Sequence, residues 1–472
     1  MPDLPAAGHG FADRFRLSES DAGADFRPLT GAARTGSFPL TMRTELFWSR
    51  EKFSDVVPMN LHLIQRIRGA LDLGAMRRSA RALSARHEAL RTQLAVTDGV
   101  PAQVVRDHVE PRIDVITLTR ASPGALLQQE AAAVAEFVQQ PLNLMAEPTF
   151  RVLIVRTGDQ HFLLALLLHH YLGDAKSLDI VARDLLSLYS AELLQQAATL
   201  PAAGHQYVDY ALWQRHLASR RAADYLARLQ KTVAGYTHPA RQLRAPQDQG
   251  RTAWTAFSVG SDIVAPLVAR ATASNRPIVA LLMFAHQLSL ARWTDTTDVV
   301  TAMPVAARVR PEHANTVGYL VNAIPVRTDL KQHSGLDEHV ADIKRDILTG
   351  LIWQDLSYEL LESMLPSGRP LCGTMFNYIP RTISGAARAV AGIVATDFQS
   401  AEFTAAIAER PRIRVVADFV AYFMELPGTF GCEIIFNRDR YSKADLDEYS
   451  RLFVSALRDI GASRPLQAAR CS

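Results

Sequence analysis

The feature that most constrains the fold is an uninterrupted apolar run at residues 162–168, which ends at two adjacent histidines, His169 and His170. A short apolar run of this kind predicts a strand buried on both faces of a sheet. An imidazole at the edge of a dry core costs free energy unless it is hydrogen-bonded or used in chemistry. Asp174 follows four residues after His170. The sequence therefore predicts a polar site in the loop after this strand.

Length and composition favour a two-domain globular protein and exclude several other classes. A chain of 472 residues is too long for one ordinary core, and 48% hydrophobic with 21% charged residues is typical of a soluble fold. A net charge of +3 without blocks of like charge argues against nucleic acid as a partner. No apolar run approaches the roughly 18 residues that span a bilayer, so we expect no membrane partner.

Three widely spaced cysteines indicate a reducing compartment. Cys372, Cys432 and Cys471 form neither a metal motif nor a disulfide framework. The N-terminal residues also lack the charged region and apolar stretch that mark a signal peptide. We therefore expect a cytoplasmic protein.

The order of apolar segments predicts an α/β (α+β) fold built from two halves of similar size, with a site at their interface. Residues 1–37 lack periodicity and are expected to be a flexible lead or a docking element. Residues 38–235 form the first predicted lobe and residues 255–472 the second. Residues 236–254, which contain Pro, Gly, Gln and Arg, are the predicted linker.

Individual elements follow from the spacing of apolar residues. In the first half, we predict strands at 59–68, 149–155 and 161–168 and a helix at 73–90, with a hairpin turn at Gly158-Asp159. A further helix follows the histidine pair. In the second half, we predict helices at 278–293 and 444–457 and strands at 299–304 and 317–326.

The residues alone leave the chemistry of the histidine pair open. A neutral His170 facing a cavity can accept a proton from an amine or hydroxyl. Asp174 needs a cationic partner to stay ionised when buried, and we expect an arginine from elsewhere in the chain. The pair can equally be packed or metal-bound, although no third zinc ligand lies near in sequence. No Gly-x-Ser-x-Gly elbow and no phosphate-binding glycine loop is present.

Residues 169–177, with the sequence His-His-Tyr-Leu-Gly-Asp-Ala-Lys-Ser, resemble the HHxxxDG motif of nonribosomal peptide synthetase condensation domains. Further segments match that family in the same order: residues 86–92, 140–152, 207–214, 303–308, 317–327 and 374–377. The resemblance covers about residues 37–457, and no adenylation or carrier domain accompanies it. The chain therefore resembles a free-standing condensation enzyme of the chloramphenicol acetyltransferase-like superfamily.

The resemblance implies two chloramphenicol-acetyltransferase-like lobes that form a V around a central tunnel. It implies acyl transfer from a carrier protein's phosphopantetheine thioester to an amine or hydroxyl, without a bound metal or cofactor, by a monomer. His170 is the implied general base or positioner of the attacking group. His169, Asp174 and Arg308 are the implied structural residues of the motif, and Asn377 and Ser177 the implied substrate-positioning residues.

Several departures from the family pattern leave rival functions open. Ala175 replaces the motif glycine, Lys176 replaces a frequent tryptophan, and the family's HQD-like segment survives only as Trp353-Gln354-Asp355. A coenzyme A-dependent acyltransferase of the same fold and a non-catalytic carrier-recruiting module remain alternatives; Lys176 weakens epimerisation. Because carrier proteins are usually acidic, Arg77, Arg78 and Arg310 are candidates for a docking patch.

Other polar and aromatic residues of the matched segments are predicted to be structural. We expect Arg86 and Arg91 to form ion pairs, His87 to be packed, Tyr207 and Trp213 to be core aromatics, and Asn322 to satisfy backbone groups.

Overall fold

The computed structural model describes residues 34–51, 60–97, 99–119, 121–147, 150–236, 252–308, 310–358, 372–380, 388–398, 403 and 418–462. Residues 1–33 of the predicted lead, residues 237–251 of the predicted linker, Cys471 and residues 148–149 of a matched segment lie outside the described residues.

The elements alternate along the chain as expected for an α/β protein. The helices are α1 (Met42–Glu51), α2 (Leu73–Arg86), α3 (Pro123–Gln139), α4 (Ala175–Leu194), α5 (Tyr207–Thr232), α6 (Ser261–Ala273), α7 (Ile278–Thr294), α8 (Leu336–Ile352) and α9 (Lys443–Gly461). The strands are β1 (Gly36–Pro39), β2 (Asn60–Arg68), β3 (Thr92–Thr97), β4 (Val100–Val105), β5 (Arg112–Thr117), β6 (Phe150–Gly158), β7 (His161–His169), β8 (Thr252–Val259), β9 (Asp298–Val305), β10 (Asn322–Asp329), β11 (Thr374–Ile379), β12 (Arg388–Val390), β13 (Ile393–Asp397), β14 (Phe419–Leu426) and β15 (Thr429–Asn437).

The first sheet explains why β7 is apolar throughout. Its strand order is β12-β13-β2-β7-β6-β5, so β7 lies in the interior, antiparallel to both neighbours. Leu164, Leu166 and Leu168 pack into a core shared with α2 and α4, whereas Leu163 and Leu167 pack into a core shared with α3. Both faces of the strand are thus covered, as the sequence predicts.

Two short strands from the second half of the chain complete this first sheet. The hairpin of β12 and β13 pairs antiparallel with β2, and Val394 lies opposite Arg68. Ile393 and Ala395 extend the apolar core of the first sheet. The sequence analysis did not anticipate this crossing, because backbone pairing between distant segments leaves no local pattern.

The second sheet has the order β10-β9-β11-β14-β15-β8. Its central strand β11 runs parallel to both β9 and β14, and the remaining pairs are antiparallel. Helices α6, α7, α8 and α9 cover one face, and α7 is buried along most of its length. Pro325 is accommodated because β10 is an edge strand. None of the helices that the structure describes is both long and apolar enough to traverse a bilayer.

Helix α5 packs against the cores of both sheets. Near its start, Tyr207 and Tyr210 belong to the core of the first sheet. Nearer its end, Tyr225 and Leu229 pack with Ala302 of β9, on the face of the second sheet opposite the helical layer. One continuous helix thus fixes the two halves to each other.

Two predicted elements have different bounds in the structure. The helix predicted at 73–90 ends at Arg86, because His87 adopts an extended conformation and residues Glu88–Arg91 form a separate 3₁₀ turn. The strand predicted at 317–326 begins only at Asn322. Residues 317–320 instead cross to the first half, where Val317 and Leu320 enter its core.

Candidate active site

The two histidines lie where β7 ends and a 3₁₀ turn begins. His169 is the last strand residue, His170–Leu172 form the turn, and α4 starts at Ala175. Gly173 is required by space rather than by a left-handed conformation, since its φ is −165°. A Cβ atom there would lie 2.1 Å from Leu168 Cδ2. The turn therefore packs directly on the last leucine of the strand.

The hydrogen bond of His170 identifies its tautomer. Its Nδ1 lies 2.9 Å from the carbonyl oxygen of Gly173. A carbonyl only accepts, so Nδ1 carries the proton and the lone pair is on Nε2. Burial lowers the pKa of His170 below its ordinary value, although the Gly173 bond and the Asp174 charge oppose this. The partly exposed ring is therefore uncharged at neutral pH and can accept a proton at Nε2.

His169 has a different environment from its neighbour. It is buried, and its Nδ1 accepts a hydrogen bond of 3.1 Å from the backbone N–H of Tyr171. Burial lowers the pKa of His169 to about 3, with a smaller contribution from His170. His169 is thus a neutral cap of the 3₁₀ turn and holds its neighbour in place.

Asp174 is held by partners on both halves of the chain. Arg308 donates to both carboxylate oxygens at 2.8 Å, in a bidentate pair. The N–H and hydroxyl groups of Ser177 lie 2.9 Å from Oδ1, and the N–H groups of Leu320 and Val321 donate to Oδ2 at 3.1 Å. Burial acts to raise the pKa of Asp174, but Arg308 and these bonds outweigh it and hold the pKa below its ordinary value. The carboxylate is therefore ionised and anchors the loop.

Ser177 belongs to the same interlobe network. Its hydroxyl lies 2.9 Å from the carbonyl oxygen of Gly318 and accepts a 3.0 Å bond from the Gly318 N–H. The side chain is fully buried. Gly318 must be a glycine because a Cβ atom would lie 2.2 Å from the ring of Tyr207. The contacts of Ser177 stabilise the loop, and its predicted contact with substrate stays a prediction.

Two residues beside His170 were missed by the sequence analysis. The ring of Tyr319 lies 4.6 Å from that of His170, between centroids. The buried guanidinium of Arg43, from α1, lies 5.0 Å from the centre of the Tyr319 ring and donates to the carbonyl of Val321. Its charge contributes to lowering the pKa of His170. Tyr319 falls within a matched segment that we had interpreted as strand, whereas nothing local marked Arg43.

The segment after α8 supports the backbone that presents Arg308. Gln354 Oε1 accepts a 3.0 Å bond from the N–H of Ala307, whose φ of 49° is left-handed. Asn322 Nδ2 donates to the carbonyl of Gln354 at 2.6 Å, and its Oδ1 accepts from the N–H of Tyr358 at 3.0 Å. Asn322 thus satisfies backbone groups, as predicted.

Other predicted residues lie apart from the histidine loop. Asn377 is partly buried in β11, opposite Tyr422 of β14 in register, and no described contact joins it to His170. Its role as a substrate-positioning residue stays a prediction. Of the candidate docking arginines, Arg78 pairs with Glu192, and Arg310 lies 5.0 Å from the ring centre of Trp213.

The remaining departures from the family motif are compatible with the loop. Ala175 is the first residue of α4 and is not among the described residues with positive φ, so a methyl group fits there. Lys176 is exposed and pairs with Asp179 at 3.8 Å. Among the described residues, no cluster of three or more His, Cys, Asp or Glu side chains could hold a metal ion.

Comparison with known proteins assigns the family. The family model described as Condensation domain matches residues 46–470 of the chain. The chain therefore belongs to the condensation-domain family.

Relatives with known products are much longer than this chain. A linear gramicidin synthase of Brevibacillus parabrevis is 26% identical over 361 residues, which is 75% of this chain but 7% of the synthase. Phosphinothricin tripeptide synthetase PhsB of Streptomyces viridochromogenes is 31% identical over 378 residues, which is 78% of this chain and 31% of the synthetase. The chain thus spans only a part of the length of these relatives.

Solved structures share the fold. SgcC5 from Streptomyces globisporus, in a complex with (R)-(-)-1-(2-naphthyl)-1,2-ethanediol and sucrose, has a TM-score of 0.76 at 20% identity, covering 91% of this chain and 100% of that chain. A variant of the starter condensation domain of rhizomide synthetase RzmA, in complex with C8-CoA, has a TM-score of 0.74 at 20% identity, covering 91% and 96%. The predicted fold class, two chloramphenicol-acetyltransferase-like lobes, is confirmed.

Proposed function

We propose that this chain transfers an acyl group from the phosphopantetheine thioester of a carrier protein to an amine or hydroxyl, forming an amide or an ester. The observation that carries the proposal is the neutral, partly exposed His170, whose Nδ1–H donates to Gly173 and whose Nε2 keeps its lone pair. Membership of the condensation-domain family supports it.

In the proposed reaction, the amine or hydroxyl attacks the thioester carbon while His170 Nε2 accepts its proton. The carbon–sulfur bond then breaks, and the proton passes from His170 to the departing thiolate. General-base help of this kind is worth roughly 10²–10⁴-fold in rate. A lowered pKa limits the basicity of Nε2, so orienting the attacking group through a hydrogen bond is part of the same role.

Asp174 is a positioning residue in this proposal. Its carboxylate is occupied by Arg308, Ser177 and two backbone N–H groups, so it has no free face toward a substrate. It fixes the loop in which His170 donates to Gly173. The tethered donor would supply the rest of the rate, because holding two reactants together makes the step effectively intramolecular.

Two features of the solved relatives bear on the alternatives. SgcC5 is described with a bound diol, which supports keeping a hydroxyl acceptor beside an amine. The RzmA starter domain is described with C8-CoA, which favours a coenzyme A thioester as the second candidate donor. A competition assay with the same acyl group on a carrier protein and on coenzyme A separates the two donors.

The central experiment is mass spectrometry of carrier-loaded thioesters offered with a panel of amines and alcohols. We expect His170→Ala to lower product formation by roughly 10²–10⁴-fold without unfolding the protein. His108→Ala is the matched control, since His108 is exposed and 65% accessible. Normal turnover by His170→Ala contradicts the proposed role. Carrier binding by the natural sequence without turnover of any thioester supports the recruiting module instead.

A further inference from the structure

A second cavity opens away from the histidine loop, between the C-terminal end of α5, the edge strand β10 and α8. It is a polar recess of about 590 Å³, within the usual size range of small-molecule sites. Arg228 and Lys231 of α5 line it on one side, and Asp329 and Asp346 contribute carboxylates. The site proposed for acyl transfer uses none of these residues.

An apolar hollow of about 80 Å³ adjoins this recess, and the two share Arg228, Thr232 and Asp346 in their walls. The hollow is several times larger than the roughly 10–15 Å³ that one water molecule needs. Tyr225, Leu229 and Trp353 contribute its walls. The cavity as a whole is therefore amphipathic, with a charged mouth and an apolar end.

Part of the charge in the recess is already neutralised within the protein. Arg327 makes a bidentate pair with Asp298 at 2.9 and 2.7 Å. Asp342 pairs with Arg345 and with His333, each at 2.9 Å. These groups shape the wall but have their partners.

Two cations and one carboxylate are left for a ligand. Within the described residues, neither Arg228 nor Lys231 has an ion-pair partner, and the described contact of Arg228 is with the ring of Trp353, 5.4 Å from its centre. Asp346 is partly buried, and no described side chain forms an ion pair with it. Burial raises the pKa of Asp346, while the charge of Arg345, a backbone hydrogen bond from Arg327 and the charge of Arg228 act against that shift.

We propose that this cavity binds a small zwitterion with an apolar or aromatic side chain, of the kind that a free α-amino acid presents. The ligand carboxylate contacts Arg228 and Lys231, the ammonium contacts Asp346, and the side chain enters the hollow beside Trp353. A simple anion leaves the half-buried Asp346 without a counter-charge, and a simple cation leaves both basic side chains without one. Only a ligand with both charges satisfies the three groups together.

The ligand arms of the test are four compounds titrated calorimetrically into the full chain at pH 7. L-phenylalanine and L-leucine carry both charges; 3-phenylpropanoate lacks the amine, and phenethylamine lacks the carboxylate. We expect both amino acids to bind, and each single-charge analogue of phenylalanine to bind roughly tenfold more weakly or less. Absence of binding by both amino acids at millimolar concentration overturns the proposal, as does equal binding by either analogue.

The protein arms separate the charged mouth from the hollow. Asp346→Asn should abolish the advantage of L-phenylalanine over 3-phenylpropanoate, and Arg228→Gln its advantage over phenethylamine. Thr349→Met places a larger side chain on the hollow wall and should weaken phenylalanine most. Arg220→Gln, an exposed cation of the same helix outside the recess, is the control and should bind like the natural sequence.

Binding at this cavity is independent of acyl transfer. His170→Ala should keep its affinity for L-phenylalanine, so a failure of the proposed reaction leaves this result standing. Loss of affinity in His170→Ala, or unchanged affinity in both Asp346→Asn and Arg228→Gln, assigns the observed binding to another place and overturns the site.

Discussion

Asp174 and Asp355 are two carboxylates taken out of water in opposite ways. Asp174 accepts hydrogen bonds from Arg308, Ser177 and two backbone N–H groups, and its pKa lies below the ordinary value. Asp355 is partly buried, its Oδ1 has no hydrogen-bond partner, and burial raises its pKa to about 6.

The difference teaches that a nearby arginine does not by itself neutralise a buried acid. Arg310 and Arg221 both act to lower the pKa of Asp355, but their guanidinium groups lie on aromatic rings, 5.0 Å from Trp213 and 4.8 Å from Trp353. Arg308 is instead aimed at both oxygens of Asp174 by the backbone at Ala307. Bidentate geometry, rather than proximity, distinguishes the two acids.

The largest effect is expected from Asp174→Asn. It leaves Arg308 buried without its counter-charge, and breaking a buried pair in this way costs about 3–5 kcal/mol. The free energy of unfolding, measured by urea denaturation at pH 7, should fall by that amount. A loss below about 1 kcal/mol would mean that the Asp174 network adds little to stability and would break the comparison.

Ser177→Ala tests the rest of the same network. It leaves Gly318 and Asp174 without the buried hydroxyl, and we expect the free energy of unfolding to fall by about 1–3 kcal/mol. Ser187→Ala, which removes an exposed hydroxyl from the same helix, should change it by roughly 0.5 kcal/mol or less. Because Ser177 and Asp174 share partners, the double variant should lose less than the sum of the two losses.

Asp355→Asn should have the opposite sign. A carboxyl whose pKa is raised to about 6 by folding contributes stability below its unfolded pKa, and that contribution is lost as the pH rises through the folded pKa. Removing the charge should therefore stabilise the protein by about 1–2 kcal/mol at pH 7, discounted for partial exposure. The gain should vanish below about pH 4, near the unfolded pKa. Denaturation curves at pH 4 and pH 7 check both halves of this statement.

The smallest effect is expected from Arg310→Gln. It removes a cation that holds down the pKa of Asp355 and a stacking contact with Trp213, worth about 0.5–1 kcal/mol at an exposed site. At pH 7, the loss should be larger in the natural sequence than in the Asp355→Asn background. Equal losses in both backgrounds would show that Arg310 acts only through Trp213.

Local sequence patterns predicted much of the fold around the site. The apolar run at residues 162–168 could only be an interior strand, and burial of an aspartate in the following loop required an arginine elsewhere. Both inferences depend on properties of the residues themselves. The resemblance then singled out Arg308 as that arginine.

The rest depends on contacts between distant segments. Residues 317–320 alternate like a strand, yet their polar groups bond to the loop and to Ser177 instead of a neighbouring strand. Arg43 reaches the site only because α1 packs there, and the hairpin of β12 and β13 joins the first sheet through backbone bonds alone. None of these placements has a local signature in residue type or spacing.

The bonds to Asp174 also set an order of events during synthesis. Its most distant partner, Val321, lies 147 residues further along the chain. At a translation rate of about 5–20 residues per second, that partner leaves the ribosome roughly 7–30 s after the aspartate does. A nascent chain therefore carries the histidine loop before the groups that fix its shape exist. The site can mature only after about two thirds of the polypeptide has been made.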